Sequence, residues 1–315
     1  MNRPAPAPDT PAAREARVVS SLAHNLLPIW FPVFRQLART VPPEWLGRLS
    51  SATVERAMWR RTRVREAILE NLSRVLELPP SSAIVEETGL AMLSNHSRLW
   101  IDFLRYADRG DIDPAALISL QEGTHLLHEV HDAGRGGILL TAHVGNFELG
   151  GFLLREFGFR VAAVYRPDPS PVVERHRVEA RRSVGVEGIP VTSSALSFIS
   201  VLRALEENVL VAMQGDRDIS GTGRRLPFFG ETASFPIGPF RLSAASGAPL
   251  LPVFVLADGN GLYKTIVKPP IPVEGCGRES RDEAIAASMK TFVTLLEETI
   301  RAHPAQWYQF TPFWE

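Results

Sequence analysis

Beyond Asp113 the chain alternates between two textures, and this alternation most narrows its possible folds. Four short apolar runs, GILLT (Gly137–Thr141), VAAVY (Val161–Tyr165), VLVAM (Val209–Met213) and LLPVFV (Leu250–Val255), read as buried strands. Between them lie stretches of helical spacing near Asn146–Phe157, Ser170–Ser183 and Ser194–Glu207, and a last helix is expected over Arg281–Arg301. Strands alternating with helices predict an α/β sheet with helices on its faces.

The first third reads differently. Residues 1–17 are rich in Pro, Ala and Arg and are expected to be disordered, with no apolar run leading to a cleavage site. Residues 18–107 read as a helical, membrane-associating region, and residues 108–315 as an α/β domain forming one structural unit with it. Val64, Ile68, Leu72 and Leu76 recur at a helical interval, and Pro79 and Pro80 are expected to stop that helix. A second helix is expected from Ser82 to Tyr106. The segment Leu22–Leu37 is apolar and aromatic, but Pro28, Pro32 and Arg35 make it too short to span a bilayer. It suits either the membrane interface, with Trp30 and Phe31 inserted and Arg35 and Arg39 toward headgroups, or packing on the protein's own core. Arg56, Arg60, Arg61 and Arg63 suit anionic lipid, or simply a solvated face.

Composition removes several function classes. Lys+Arg number 34 against 35 Asp+Glu, so no global basic field points to nucleic acid. Cys276 is the only cysteine, which excludes a disulfide scaffold within one chain and fits a reducing compartment. His125, His128 and His131 share a helix face, but HEVH is not H-E-x-x-H and no metal is expected. Neither G-x-S-x-G nor GxxxxGK[ST] occurs, against a lipase-type hydrolase and a P-loop enzyme.

The segment GILLTAHVGNFELGG says most about chemistry. Its strand ends at Thr141, and His143 follows in the turn, beyond a strand's carboxyl end where open α/β sheets bind ligands. Asn146 suits a helix N-cap. Glu148, five residues after His143, is expected to fold back on the imidazole, fixing its tautomer so that the other nitrogen acts as general base. With eight histidines and 35 acids in 315 residues, about one such spacing arises by chance. The strand end is what separates this histidine from the others.

AHVGNFE resembles the H-x4-D/E block of glycerolipid-type acyltransferases. It is most similar to the branch of late lipid A acyltransferases and phosphatidylinositol mannoside acyltransferases, with Phe147 where that branch often has Trp. The blocks AVYRPDPSP, EARRSVG, MQGDRDISGTGRRLPFFGETASFP and HPAQWYQF agree in order and spacing, and the likeness runs from about residue 25 to the end. The resemblance implies a glycerolipid-acyltransferase-like mixed sheet flanked by helices. It implies direct transfer of a fatty acyl group from acyl-carrier protein or acyl-coenzyme A to a hydroxyl of a membrane glycolipid, with no cofactor beyond that co-substrate. The acceptor is a lipid A precursor or a similar lipid, with a phosphatidylinositol mannoside as the alternative. The expected place is the cytoplasmic face of the bacterial inner membrane, peripheral or monotopic.

On that match His143 and Glu148 are catalytic, and Asn146, Arg166, Arg181, Asp216 and Arg217 bind substrate. Arginine suits phosphate through its planar fork, although Arg181 also sits in a crowded run of arginines that a solvated face would explain. Asp216 is open to positioning Arg181, an acceptor hydroxyl or a turn. Phe228, Phe229 and Phe235 are candidates for an acyl groove, and equally for core. Cys276 lies outside every block. A catalytically silent lipid-binding protein on the same fold is the non-enzyme alternative.

Overall fold

A computed structural model describes residues 33, 35–38, 40–107, 113–168, 170–191, 196–219, 221–273 and 278–314. Most of the segment Leu22–Leu37, with Trp30 and Phe31, lies outside them, as do Arg39 and Cys276.

Described residues 33, 35–38 and 40 are helical, and they are followed by α1 (Pro43–Ser50), a π-turn over Ser51–Glu55 and the short α2 (Arg56–Trp59). Next come α3 (Thr62–Leu76) and α4 (Ala83–Ala107). The helix expected to run to the prolines stops earlier. Glu77 turns left-handed at φ 56°, and the Leu78 N–H reaches back to the Ser73 carbonyl at 3.1 Å, so a Schellman-type cap ends α3 before Pro79. Val64, Ile68 and Leu72 are buried against Val85, Met92 and Leu93 of α4, in a cluster that also takes in Tyr308.

The remainder runs β1 (Ile118–Glu122), α5 (His125–Asp132), β2 (Gly137–Thr141), α6 (Phe147–Glu156), β3 (Val161–Tyr165), α7 (Pro171–Ser183), β4 (Val186–Pro190), α8 (Leu196–Glu206) and β5 (Leu210–Gln214). It continues with the hairpin β6 (Arg224–Phe228) and β7 (Glu231–Phe235), then α9 (Gly238–Ser246), β8 (Leu250–Ala257), β9 (Tyr263–Val267) and α10 (Arg278–Ala302). The sheet has seven strands in the order β1-β9-β8-β2-β5-β3-β4. Neighbours are parallel except β8 with β9, so β1 and β9 run against the other five.

Both faces are covered. Ile138 and Leu140 of β2 join a core with Leu205 of α8, Phe240 of α9 and Phe292 of α10, whereas Leu139 between them joins the core of Leu153 and Ile101. A strand buried on both sides needs a continuous apolar run, which is why GILLT, VAAVY, VLVAM and LLPVFV were legible. The chain leaves β2 toward β3 and β4 at one edge, and leaves β5 back past β2 toward β8. Open α/β sheets bind ligands at the carboxyl ends of adjacent strands whose continuations lead in opposite directions. β2 and β5 are such a pair. No described helix is long and apolar enough to cross a membrane.

Candidate active site

The ends of β2 and β5 bring the site together. Thr141 pairs with Gln214, and the ladder extends through the Gly215 N–H to the Thr141 carbonyl at 2.8 Å. A Cβ on Gly215 would lie 2.7 Å from the Phe292 ring, so only glycine fits there. Each strand runs two residues past the pair, to His143 on one side and Asp216 on the other. Asp216 is fully buried, and its Oδ2 accepts the His143 backbone N–H at 3.0 Å. The His143 Nδ1 lies 2.9 Å from Asp216 Oδ1. Burial by itself would push the Asp216 carboxyl up, but the His143 ring and backbone and the Arg217 guanidinium outweigh it and hold the group below the usual carboxylate range. An ionised Asp216 only accepts, so Nδ1 carries the proton and Nε2 presents a lone pair.

Glu148 does not fill the place expected of it. Its carboxylate forms a bidentate pair with Arg181, Nη2 to Oε1 at 2.6 Å and Nε to Oε2 at 3.2 Å, and Arg177 adds a contact at 3.6 Å. Arg177 and Arg181 lie one turn apart on α7, so both reach Glu148 at the second position of α6. Burial opposes ionisation of Glu148, and the two arginines overcome it, lowering its pKa. The residue orienting His143 is Asp216, 73 positions away, and not the nearby Glu148.

Several other expected residues engage neighbours within the protein. Asn146 is 2% exposed, and both ends of its amide are used: Oδ1 accepts the Leu149 N–H at 3.1 Å as N-cap, and Nδ2 donates to the Tyr263 hydroxyl at 3.0 Å. It therefore holds the turn. Arg181 is buried, bound to Glu148 and stacked at 4.7 Å over the Tyr165 ring, instead of facing solvent. Arg166 is exposed just after β3. Arg217 donates from Nη2 to the Tyr308 carbonyl. Phe228 and Phe235 are 0% and 1% exposed and Phe229 is 9% exposed, packed edge to face among themselves and against Trp307, Phe313 and Trp314. These three rings are core, not groove. His128 and His131 pack on Phe159.

The turn bearing His143 is held from two sides. The Tyr308 N–H donates to the His143 carbonyl and the Gly145 N–H to the Gln306 carbonyl, both at 2.9 Å. The Asn146 N–H reaches Val255 of β8 at 2.7 Å. Gly145 has φ +64°, and a Cβ there would lie 2.1 Å from the Val255 carbonyl oxygen. Sequence reasoning missed His96 of α4. Its ring packs on Tyr308 and Phe310 with centroids at 5.2 and 4.9 Å, and the Trp100 indole lies 3.3 Å from its Nε2. Burial, then Arg217 and His143, lower its pKa to about 4, so a neutral ring flanks the site. The one local signal that could have found it is its spacing of four residues from Trp100 on α4. Among the described residues, no group of three or more His, Cys, Asp or Glu is set to hold a metal.

A buried aspartate orienting a strand-end histidine is the apparatus for deprotonating a weak nucleophile such as an alcohol. Comparison with known proteins gives the family. The profile of the bacterial lipid A biosynthesis acyltransferase family matches residues 23–315. The phosphatidylinositol mannoside acyltransferase of Mycobacterium tuberculosis is 29% identical over 252 residues, covering 79% of this chain and 77% of that protein. The protein of the same description from Mycolicibacterium smegmatis is 28% identical over 253 residues, 79% of each chain. With a dyad fit to activate a hydroxyl and a family match across nearly its whole length, the chain belongs to the bacterial lipid A biosynthesis acyltransferase family and is an O-acyltransferase.

Proposed function

We propose that the protein transfers a fatty acyl group from the thioester of acyl-carrier protein or coenzyme A to a sugar hydroxyl of a membrane glycolipid, with His143 as general base and Asp216 as its orienting carboxylate. The observation that carries this reading is the His143 Nδ1–Asp216 contact of 2.9 Å, which leaves Nε2 as the base. Nε2 takes the hydroxyl proton as the acceptor oxygen attacks the thioester carbonyl. The tetrahedral adduct then expels the thiolate, which receives the proton from the imidazolium, and no acyl-enzyme is formed. Glu148 serves by fixing Arg181 and Arg177, and exposed Arg166 is available to an anionic group of donor or acceptor.

Two acceptors fit this chemistry, a lipid A precursor and a phosphatidylinositol mannoside. The relatives described as phosphatidylinositol mannoside acyltransferases favour the second. A lipid acceptor requires work at a membrane surface, and the cytoplasmic face of the inner membrane is where acyl thioesters are available. In support, α1 exposes Trp45 (62%) and Leu49 (52%) on either side of Arg48, a pairing suited to an interface.

The test is to incubate labelled acyl-coenzyme A and acyl-carrier protein with a total bacterial lipid extract, wild type beside His143→Ala. A labelled lipid made only by wild type is expected, and its mass identifies the acceptor. Free fatty acid without labelled lipid would point to a thioesterase, and no turnover with either donor would sink the transfer reading.

A further inference from the structure

The amide of Asn146 has two ends, and a helix cap uses only one. Serine or aspartate would satisfy the Leu149 N–H equally well. What asparagine adds is a donor, and its Nδ2 goes to the Tyr263 hydroxyl at 3.0 Å. That hydroxyl donates in turn to Asp102 Oδ2, which also accepts from Arg98 Nε at 2.7 Å. Asp102, Tyr263 and Asn146 are 1%, 3% and 2% exposed, so the chain of bonds is sealed from water where its groups touch. It joins α4, β9 and the turn between β2 and α6, three elements distant in sequence.

The network is poor as a stabilising device. Burial pushes the Asp102 carboxyl above its ordinary range, and Arg98 and Tyr263 only partly oppose this. An apolar trio would fill the same space without a buried carboxylate. What the polar chain supplies is direction. Tyr263 accepts from Nδ2 and Leu149 donates to Oδ1, so the amide has one orientation, and the residue between Gly145 and α6 is fixed on both sides. His143 lies three residues before that anchor.

We propose that Asp102 and Tyr263 are positioning residues for acyl transfer, acting through Asn146 on the turn that carries His143. This rests on His143 being the base. Two substitutions cut the same bond from opposite ends with little change of shape. Tyr263→Phe removes the hydroxyl, and Asn146→Ser keeps a capping oxygen but loses the donor. With labelled acyl-coenzyme A or acyl-carrier protein and total bacterial lipid extract, each is expected to lower kcat by about 10- to 100-fold with KM for the donor nearly unchanged, because misplacement of about 1 Å costs that much. The double variant is expected to be no slower than either single one. A merely structural tie would lower Tm and leave kcat per folded molecule near wild type, which overturns the proposal. Losses that multiply in the double variant overturn it too, since Tyr263 would then act by another route.

Hydrogen exchange over residues 143–150 in the same four proteins needs no substrate. Equal, non-additive acceleration is expected there, and unchanged exchange in Tyr263→Phe counts against the proposal. If wild type turns over neither donor, the exchange result still decides the positioning claim, and the failure falls on the transfer reading alone.

Discussion

His143 and Asp216 meet because Thr141 and Gln214 are partners across β2 and β5, and each residue stands two places beyond its own end of that pair. The backbone register of a parallel sheet thus sets the distance between base and carboxylate, and the His143 N–H adds a second tie to the same aspartate at 3.0 Å. The covered parallel strands fix the ends from which both residues project, and the bonds from Gln306, Tyr308 and Val255 hold the turn beyond β2.

Asp216→Asn keeps the shape but donates from one end of its side chain, which favours the wrong tautomer of His143. A kcat loss of about 10³ is expected, with a much smaller change in KM. Glu148→Gln, measured alongside, is expected to lose less. Steady-state kinetics on the two proteins decide the matter, and the reverse ranking would return the orienting role to Glu148.

Glu148 is expected to matter more for folding. Its loss strands Arg181, 6% exposed, beside Arg177 without their shared carboxylate. Breaking a buried pair from one side costs about 3–5 kcal/mol, so the urea midpoint of Glu148→Ala should fall well below wild type. Adding Arg181→Met should recover part of the loss. No recovery would mean that the pair does not carry the effect.

The pH dependence of stability carries a signature of His96. Burial, Arg217 and His143 lower its pKa to about 4 from 6.5. As pH falls from 6.5 toward 4, the unfolded chain takes up a proton that the folded chain does not, so this contribution is whole above 6.5 and lost on the way down. The unfolding free-energy difference between wild type and His96→Phe should therefore be flat above about pH 7 and shift against wild type by up to about 3 kcal/mol near pH 4. A difference that does not vary with pH would contradict this.

Phe228 tests core against groove. It is fully buried against Phe235, Trp307 and Phe313, so Phe228→Ala should destabilise by about 3–5 kcal/mol. The distribution of acyl chain lengths in the product, read by mass spectrometry, should not change. A shifted length preference would restore the groove.

The sequence was legible where local rules suffice. β2 and β3 fall on the runs that pattern reading found, and β5 is displaced by one residue. The edge strands β1 and β4 escaped because Ser119, Gln121 and Glu122 in one and Glu187, Gly188 and Pro190 in the other break any apolar run, and β9 because its burial alternates. His143 was readable from its place after a strand. Its partner was not, because nearness in sequence favoured Glu148 and nothing in a linear pattern reports which strands lie side by side. The aromatic run of β6–β7 has the same composition in a core and in a lipid groove, so only packing separates them.

The pairing of Gln306–Tyr308 with His143–Gly145 also sets an order of events. Residues 306–308 are made after every strand of the sheet. A chain still on the ribosome can have each member of the dyad outside the exit tunnel and yet lack the bonds that hold the turn. The strands alone therefore do not complete the turn that carries His143, because two of its bonds come from residues made after them.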